Sequence, residues 1–191
     1  MGEKIVLPAG APERVELEAG GWTVVARSFG AQLDADRIDH ARLSALVSRA
    51  AGPVRELDAG DVDAVLRLDA VTADDYPGSI ATQHEPLDRS TAMPSDSRRA
   101  FGAFATDGPL VAMTYVDVDG AAAETGFTVV HPGTRRQGLG VAVKAASVLQ
   151  LVADGVARFR TGGSLENTGI LRANDALGYV RDEEWVTLER R

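Results

Sequence analysis

Thr128-Val-Val-His-Pro-Gly-Thr-Arg-Arg-Gln-Gly-Leu-Gly-Val-Ala142 is the stretch that decides how this chain reads. A β-branched strand feeds a basic loop with two glycines, and the loop opens a helix. Gly138 and Gly140 have no Cβ, so backbone N–H groups can approach a ligand closely. The helix start adds about half a positive charge, and Arg135 and Arg136 add full ones. Together these make an anion site for phosphate, built from loop amides rather than from side chains alone. A nucleoside-triphosphate loop needs Lys-Ser or Lys-Thr after its last glycine, where Val141-Ala142 stands. A dinucleotide fingerprint needs a third glycine where Val143 stands, and a parallel βαβ setting.

The residues before this loop give a different setting. Phe101 to Thr106, Leu110 to Asp117 and Ala122 to Val130 read as strands, separated by Asp107-Gly108-Pro109 and Asp119-Gly120. That spacing predicts an antiparallel meander. After the loop, a helix is expected from Leu139 to Ala153, a strand from Ala157 to Thr161, and a helix from Thr168 to Leu177 with Gly178 behind it. Tyr179 to Arg181 and Trp185 to Glu189 read as two closing strands. Upstream, Val54 to Leu57 is a short strand, and Asp58 caps a helix with Val62, Val65 and Leu66 on one face. Thr72 to Ser97 is polar, holds three prolines and reads as a long irregular connection.

Residues 1–52 read as an extension. Arg14 to Glu18 and Trp22 to Phe29 are expected to form a hairpin about Gly20-Gly21. A helix striped by Leu43, Leu46, Val47 and Ala50, capped by Asp34 or Asp36, ends at Gly52-Pro53. The organisation expected is therefore a hairpin-helix extension over 1–52 and one domain over 53–191.

The chain has 191 residues, 45% hydrophobic and 25% charged, which are ordinary values for a folded globular protein. With no cysteine, disulfides, thiolate metal sites and a cysteine nucleophile are excluded. The three histidines, His40, His84 and His131, are scattered, so no metal is expected. A net charge of −8 argues against nucleic-acid binding. No apolar run approaches the roughly 20 residues that cross a bilayer, and MGEKIVLPAG has no signal-type apolar stretch. The expectation is a cytoplasmic protein without a membrane segment. Between Val54 and Asp88 nine acidic residues face two arginines. This is a solvated face or, on a sharper reading, a wall that attracts a cation.

Two motifs in order resemble the GNAT superfamily of acyl-CoA N-acyltransferases. Arg135-Arg-Gln-Gly138-Leu-Gly140 after Val129-Val-His-Pro132 is similar to its pyrophosphate loop. Asn167 followed by Leu177-Gly178-Tyr179 is similar to its asparagine and Leu-Gly-aromatic ending. The resemblance covers residues 53–191. It implies an α/β (α+β) fold: a central mixed, mostly antiparallel sheet flanked by helices and splayed between the strand ending at Val130 and the strand near Phe159. It implies acetyl-CoA as cosubstrate, no metal, and direct transfer of the acetyl group to a primary amine in a ternary complex. The acceptor is a small-molecule or protein amine. Carried over, Val129 and Val130 pair with the pantetheine arm. Arg135, Arg136, Gln137, Gly138, Leu139, Gly140 and Val141 surround the pyrophosphate. Asn167 faces the arm or caps the last helix.

Many members of the superfamily place a tyrosine seven residues after that asparagine to serve the leaving thiolate. Here the position holds Asn174, a residue some branches tolerate. Tyr179 reads as a core ring, and Tyr76 and Tyr115 are phenols without a motif. His131 reads as a turn residue beside Pro132, and Trp22 and Trp185 as packing. Glu124, fourteen residues before Gly138, stands where some members carry a catalytic glutamate. It shares a face with Gly126, Thr128 and Val130 unless a bulge intervenes. Two other readings stay open. One is a non-catalytic acyl-CoA-binding module; the other makes residues 1–52 the remnant of a tandem enzyme that forms a homodimer contact.

Overall fold

The computed structural model describes residues 2–73 and 85–190. Tyr76, His84, Asp74 and Asp75 lie outside the described residues. Among the described residues, eight strands and five α-helices follow one another as β1 (Glu3–Pro8), α1 (Glu13–Ala19), β2 (Trp22–Asp34), α2 (His40–Ser48), β3 (Val54–Glu56), α3 (Val62–Thr72), β4 (Arg98–Phe104), β5 (Leu110–Asp119), β6 (Ala122–Val130), α4 (Leu139–Ala153), β7 (Arg158–Ser164), α5 (Thr168–Leu177) and β8 (Val180–Arg190). One sheet holds all eight strands in the order β1-β8-β2-β7-β6-β5-β4-β3. Every neighbouring pair is antiparallel except β6 and β7.

The meander from β4 to β6 forms as its turn residues dictate, with Gly108 and Gly120 at positive φ. The alternation of apolar residues then divides between two layers. On one face Leu57, Val65 and Leu68 pack against Met113, Tyr115, Phe127 and Val129. On the other, Ala145, Val148 and Leu151 of α4 pack against Phe101, Val116, Phe159 and Leu43. α4 spans the residues its apolar pattern predicts, and Gly178 closes α5 at φ 94°.

Three expectations are corrected. The residues from Arg14 to Glu18 are helical, not the first arm of a hairpin; β1 and β2 do not pair with each other, and both pair with β8. Alternating charged and apolar residues over the five positions from Arg14 to Glu18 suit a short amphipathic helix as well as a strand, and Leu17 settles against Trp22 and Val186. α2 is capped by Asp39, whose Oδ1 accepts from the Arg42 N–H at 2.9 Å, rather than by Asp34 or Asp36. The two closing strands are one continuous strand. Its charged middle stays in the sheet because Arg160 pairs with Asp182 and Glu183, and Arg27 with Glu184.

The sheet does not break at residue 52. β2 lies inside it, between β8 and β7, and carries Phe29, Ala31 and Leu33 into the main core.

Candidate active site

The β6–β7 ladder ends after Glu124↔Arg160. Beyond it β6 continues to Val130 and β7 to Ser164, and the two strands part. Their facing edges bound a cleft of about 720 Å³. Its walls include Thr125 to Val130, Thr161 to Ser164, and Asn167, Gly169, Ile170 and Ala173 of the α5 start. At its mouth stand Arg135, Arg136, Gly138, Leu139, Gly140 and Val141. Five residue steps of about 3.3 Å each put the fork about 17 Å below this loop.

The loop is shaped by its backbone. Gly138 sits at φ 79° and Arg136 at φ 64°, the latter the only described non-glycine residue at positive φ. Left-handed residues beside ordinary ones turn successive N–H groups the same way, which concentrates positive potential. The Arg135 Nε donates to the Val130 carbonyl at 3.3 Å, tying the loop to the end of β6. A Cβ on Gly140 would stand 3.3 Å from Val130 Cγ2, so this glycine fits the close approach of α4 to β6. His131 turns the chain: its Nδ1 accepts from the Gly133 N–H at 3.1 Å. Asn167 both lines the cleft and caps α5, its Oδ1 accepting from Ile170 N–H at 3.1 Å.

The cleft therefore gathers Val129, Val130, Arg135, Arg136, Gly138, Leu139, Gly140, Val141 and Asn167. Gln137 lies in the exposed loop outside its walls. Glu124 is exposed one residue before the fork, also outside the walls. A bulge at Gly126, between the pairs Tyr115↔Phe127 and Val116↔Thr125, reverses the strand's alternation. Glu124 consequently shares the α3 face with Phe127 and Val129, not with Thr128 and Val130.

Asn174 is 2% exposed, outside the cleft walls, and neither polar atom of its amide has a hydrogen-bond partner. An unpaired buried amide costs about 1–3 kcal/mol, whereas an apolar residue of similar shape is close to neutral. Asn174→Leu is expected to melt at or above the wild-type temperature. Its turnover number decides the catalytic assignment, because an unaltered value removes Asn174 from it.

The two described phenols, Tyr115 and Tyr179, are structural. Tyr115 stacks on Phe127 at 5.0 Å and donates to the Ala92 carbonyl at 2.6 Å, and burial pushes its pKa up to about 12. Tyr179 is buried in the main core. Trp22 packs in the smaller core over α1, and Trp185 donates to Glu183 at 3.1 Å.

The described acids between Val54 and Asp88 are engaged rather than arrayed as a bare wall. Arg99 holds Glu56, Arg55 holds Asp61, and Arg89 holds Asp63. Asp88 accepts from the Ser90 and Thr91 N–H groups, which draw its pKa down to about 2. Asp69 is buried and accepts from Leu87 N–H at 2.8 Å. Among the described residues no cluster of three or more metal-binding side chains occurs.

Sequence reasoning passed over Lys144, Thr125 and Thr161. Lys144 is the single charged residue of α4 (LGVAVKAASVLQLVA). A lone charge in the middle of a largely apolar helix was the available signal.

No protein-family profile matches the sequence, and neither does any curated protein. Solved structures do match. A GCN5-related N-acetyltransferase from Kribbella flavida superposes with a TM-score of 0.68 at 20% identity, over 99% of this chain and 68% of that one. A GCN5-related N-acetyltransferase from Sphaerobacter thermophilus gives 0.68 at 17% identity, over 98% of this chain and 58% of that one. The ribosomal-protein-S18-alanine N-acetyltransferase of Escherichia coli gives 0.56 at 17%, over 73% of this chain and 92% of that one. The chain thus has the GCN5-related N-acetyltransferase fold, and it spans 68% and 58% of the first two proteins.

Proposed function

We propose that this protein is an N-acetyltransferase that moves an acetyl group from acetyl-CoA to a primary amine by direct transfer in a ternary complex. The observation that carries the reading is the phosphate cradle at the mouth of the parted β6 and β7. The loop from Arg135 to Val141 supplies amides, two guanidinium groups and a helix start for a pyrophosphate. Below it, the β6 edge from Thr125 to Val130 is open towards β7 and offers backbone partners to an extended amide-bearing arm. Asn167 stands where it can meet that arm from the α5 side. Acetyl-CoA, when bound, supplies an activated thioester; the chain supplies alignment, and holding both reactants in one cleft accounts for a large part of the acceleration.

An alkylammonium is only about 0.1% neutral near pH 7, a deficit of about 4 kcal/mol unless a base assists. Glu124 is our candidate, acting through water from the α3 face beside the fork. Glu124→Gln, assayed with saturating acetyl-CoA, is expected to lose roughly 10²-fold in turnover near pH 7 and to recover at high pH, where the acceptor deprotonates itself. Wild-type turnover across that range would leave Glu124 as surface.

The functional test is calorimetric binding of acetyl-CoA followed by turnover with a panel of primary amines. Binding without turnover on any amine supports a second reading, a non-catalytic acyl-CoA-binding module. The burial of Asn174 away from the cleft favours that reading, since an amide, unlike a phenol, has no proton to give.

A further inference from the structure

Thr125 on β6 and Thr161 on β7 are the first residues beyond the last rung of the β6–β7 ladder. Both line the floor of the cleft. From the far side of the sheet the Lys144 ammonium reaches this point. Its Nζ donates to Thr161 Oγ1 at 3.0 Å and to Thr125 Oγ1 at 3.2 Å, and stands 5.5 Å from the Tyr179 ring centre. Lys144 is 1% exposed.

Few described neighbours of this amine are polar. Thr125 faces it from β6, Thr161 from β7, and Tyr179 from the segment between α5 and β8. Glu124 and Arg160 are the preceding residues on their strands, so they point to the opposite face. No charged side chain contributes to its titration; burial alone draws its pKa down to about 7. Tyr179 stays protonated, since burial pushes its phenol well above its ordinary value.

Counting protons gives the cluster its polarity. An ammonium has three donors and no acceptor. Each threonine oxygen that accepts from Lys144 must turn its own O–H elsewhere: the Thr125 hydroxyl also shares a hydrogen bond with the Tyr179 phenol, whereas the open side for Thr161 is the cleft. Among the described residues, the floor therefore offers the Thr161 donor and no anion.

We propose that Lys144 is a positioning residue that, anchored also on Thr125, holds the hydroxyl of Thr161 as a donor at the fork, where it stabilises the thiolate leaving in acyl transfer. The inference rests on the acyl-CoA reading and deepens it. In the transfer the acceptor nitrogen bonds to the carbonyl carbon, the C–S bond breaks, and the bonding pair stays on sulfur. Thr161 gives its hydroxyl proton to that sulfur while Lys144 replaces it from the ammonium in one shift. The resulting neutral lysine regains a proton from water, and the acceptor's own proton leaves to base or water.

The test is the titration of CoA bound to the protein, followed by ultraviolet absorbance of the thiolate. In the wild type the bound thiol is expected to be at least tenfold more acidic than free CoA. In Lys144→Met and in Thr161→Val it returns to within about twofold of free CoA, and Thr161→Ser restores the shift. Melting adds a second readout. A lysine depressed from 10.5 to about 7 binds fewer protons folded than unfolded between those values, so wild-type stability rises with pH across that window. Lys144→Met, lacking this dependence, melts above wild type at pH 6, and the difference narrows towards pH 10. CoA bound with an unshifted thiol in the wild type, or a shift that persists in Lys144→Met and Thr161→Val, overturns the proposal alone. No binding of CoA by the wild type overturns the acyl-CoA reading, and the proposal with it.

Discussion

Gly140→Val is expected to bind acetyl-CoA at least 10²-fold more weakly than wild type while folding normally. Gly140 lies in the first turn of α4 with ordinary helical φ, so valine meets no backbone strain there. Its helix propensity is no worse than that of glycine. The obstacle is space. The first added carbon already stands 3.3 Å from Val130 Cγ2, and the two methyls beyond it extend where α4 and the end of β6 border the cleft mouth. A ligand phosphate held by the loop amides loses both room and contacts. Gly138→Ala separates geometry from crowding: nothing stands within 4 Å of its Cβ, but its φ of 79° costs a side chain about 1–2 kcal/mol. That variant is expected to weaken binding by loosening the loop rather than by filling it. Calorimetry with acetyl-CoA and melting curves for both variants check this, and unchanged affinity in Gly140→Val removes the loop from the site.

What the sequence made legible follows from how local each signal is. The α4 boundaries, the meander turns and the α5 ending rest on residues a few positions apart: Gly138 before the helix, Gly108 and Gly120 in the turns, Gly178 after Leu177. Local stereochemistry decides them, and the structure agrees. The shape of the loop before α4 was legible for the same reason, since Arg135 to Gly140 is one contiguous segment. The misreadings concern partners far away in the chain. Asp182, Glu183 and Glu184 look like a break until Arg160 and Arg27 are seen beside them. The segment before Gly20 looks like a hairpin arm until β8, at the other end of the chain, is seen to take β1 and β2 on its two edges. Glu124 changed faces because one extra residue, Gly126, is accommodated opposite Tyr115 and Val116. Lys144 combined both difficulties: the oddity was local, but its threonine partners lie on two strands that only the fold brings together.

Removing residues 2–34 is expected to abolish cooperative folding, although every motif of the proposed chemistry lies beyond them. β2 is not an edge. It pairs with β7 along Ser28 to Asp34 and with β8 along Trp22 to Gln32. Without it β8 loses its only link to the rest of the sheet, and β7 keeps just the short ladder to β6. Phe29 and Leu33, 4% and 2% exposed, also leave the main core. At about 1.5–3 kcal/mol for each large side chain, before any lost hydrogen bond is counted, these two approach the 5–15 kcal/mol that holds a typical domain together. Removing residues 2–10 is the contrasting case, because β1 is an outer strand whose loss leaves the β8-β2-β7 arrangement whole. That shorter deletion is expected to lower the melting temperature and preserve acetyl-CoA binding. Circular dichroism melts and calorimetry on both truncations distinguish the cases. A fragment of residues 53–191 that melts cooperatively and binds acetyl-CoA would mean that β7 and β8 close on each other directly, and that the first 52 residues are an attachment rather than part of the sheet that shapes the cleft.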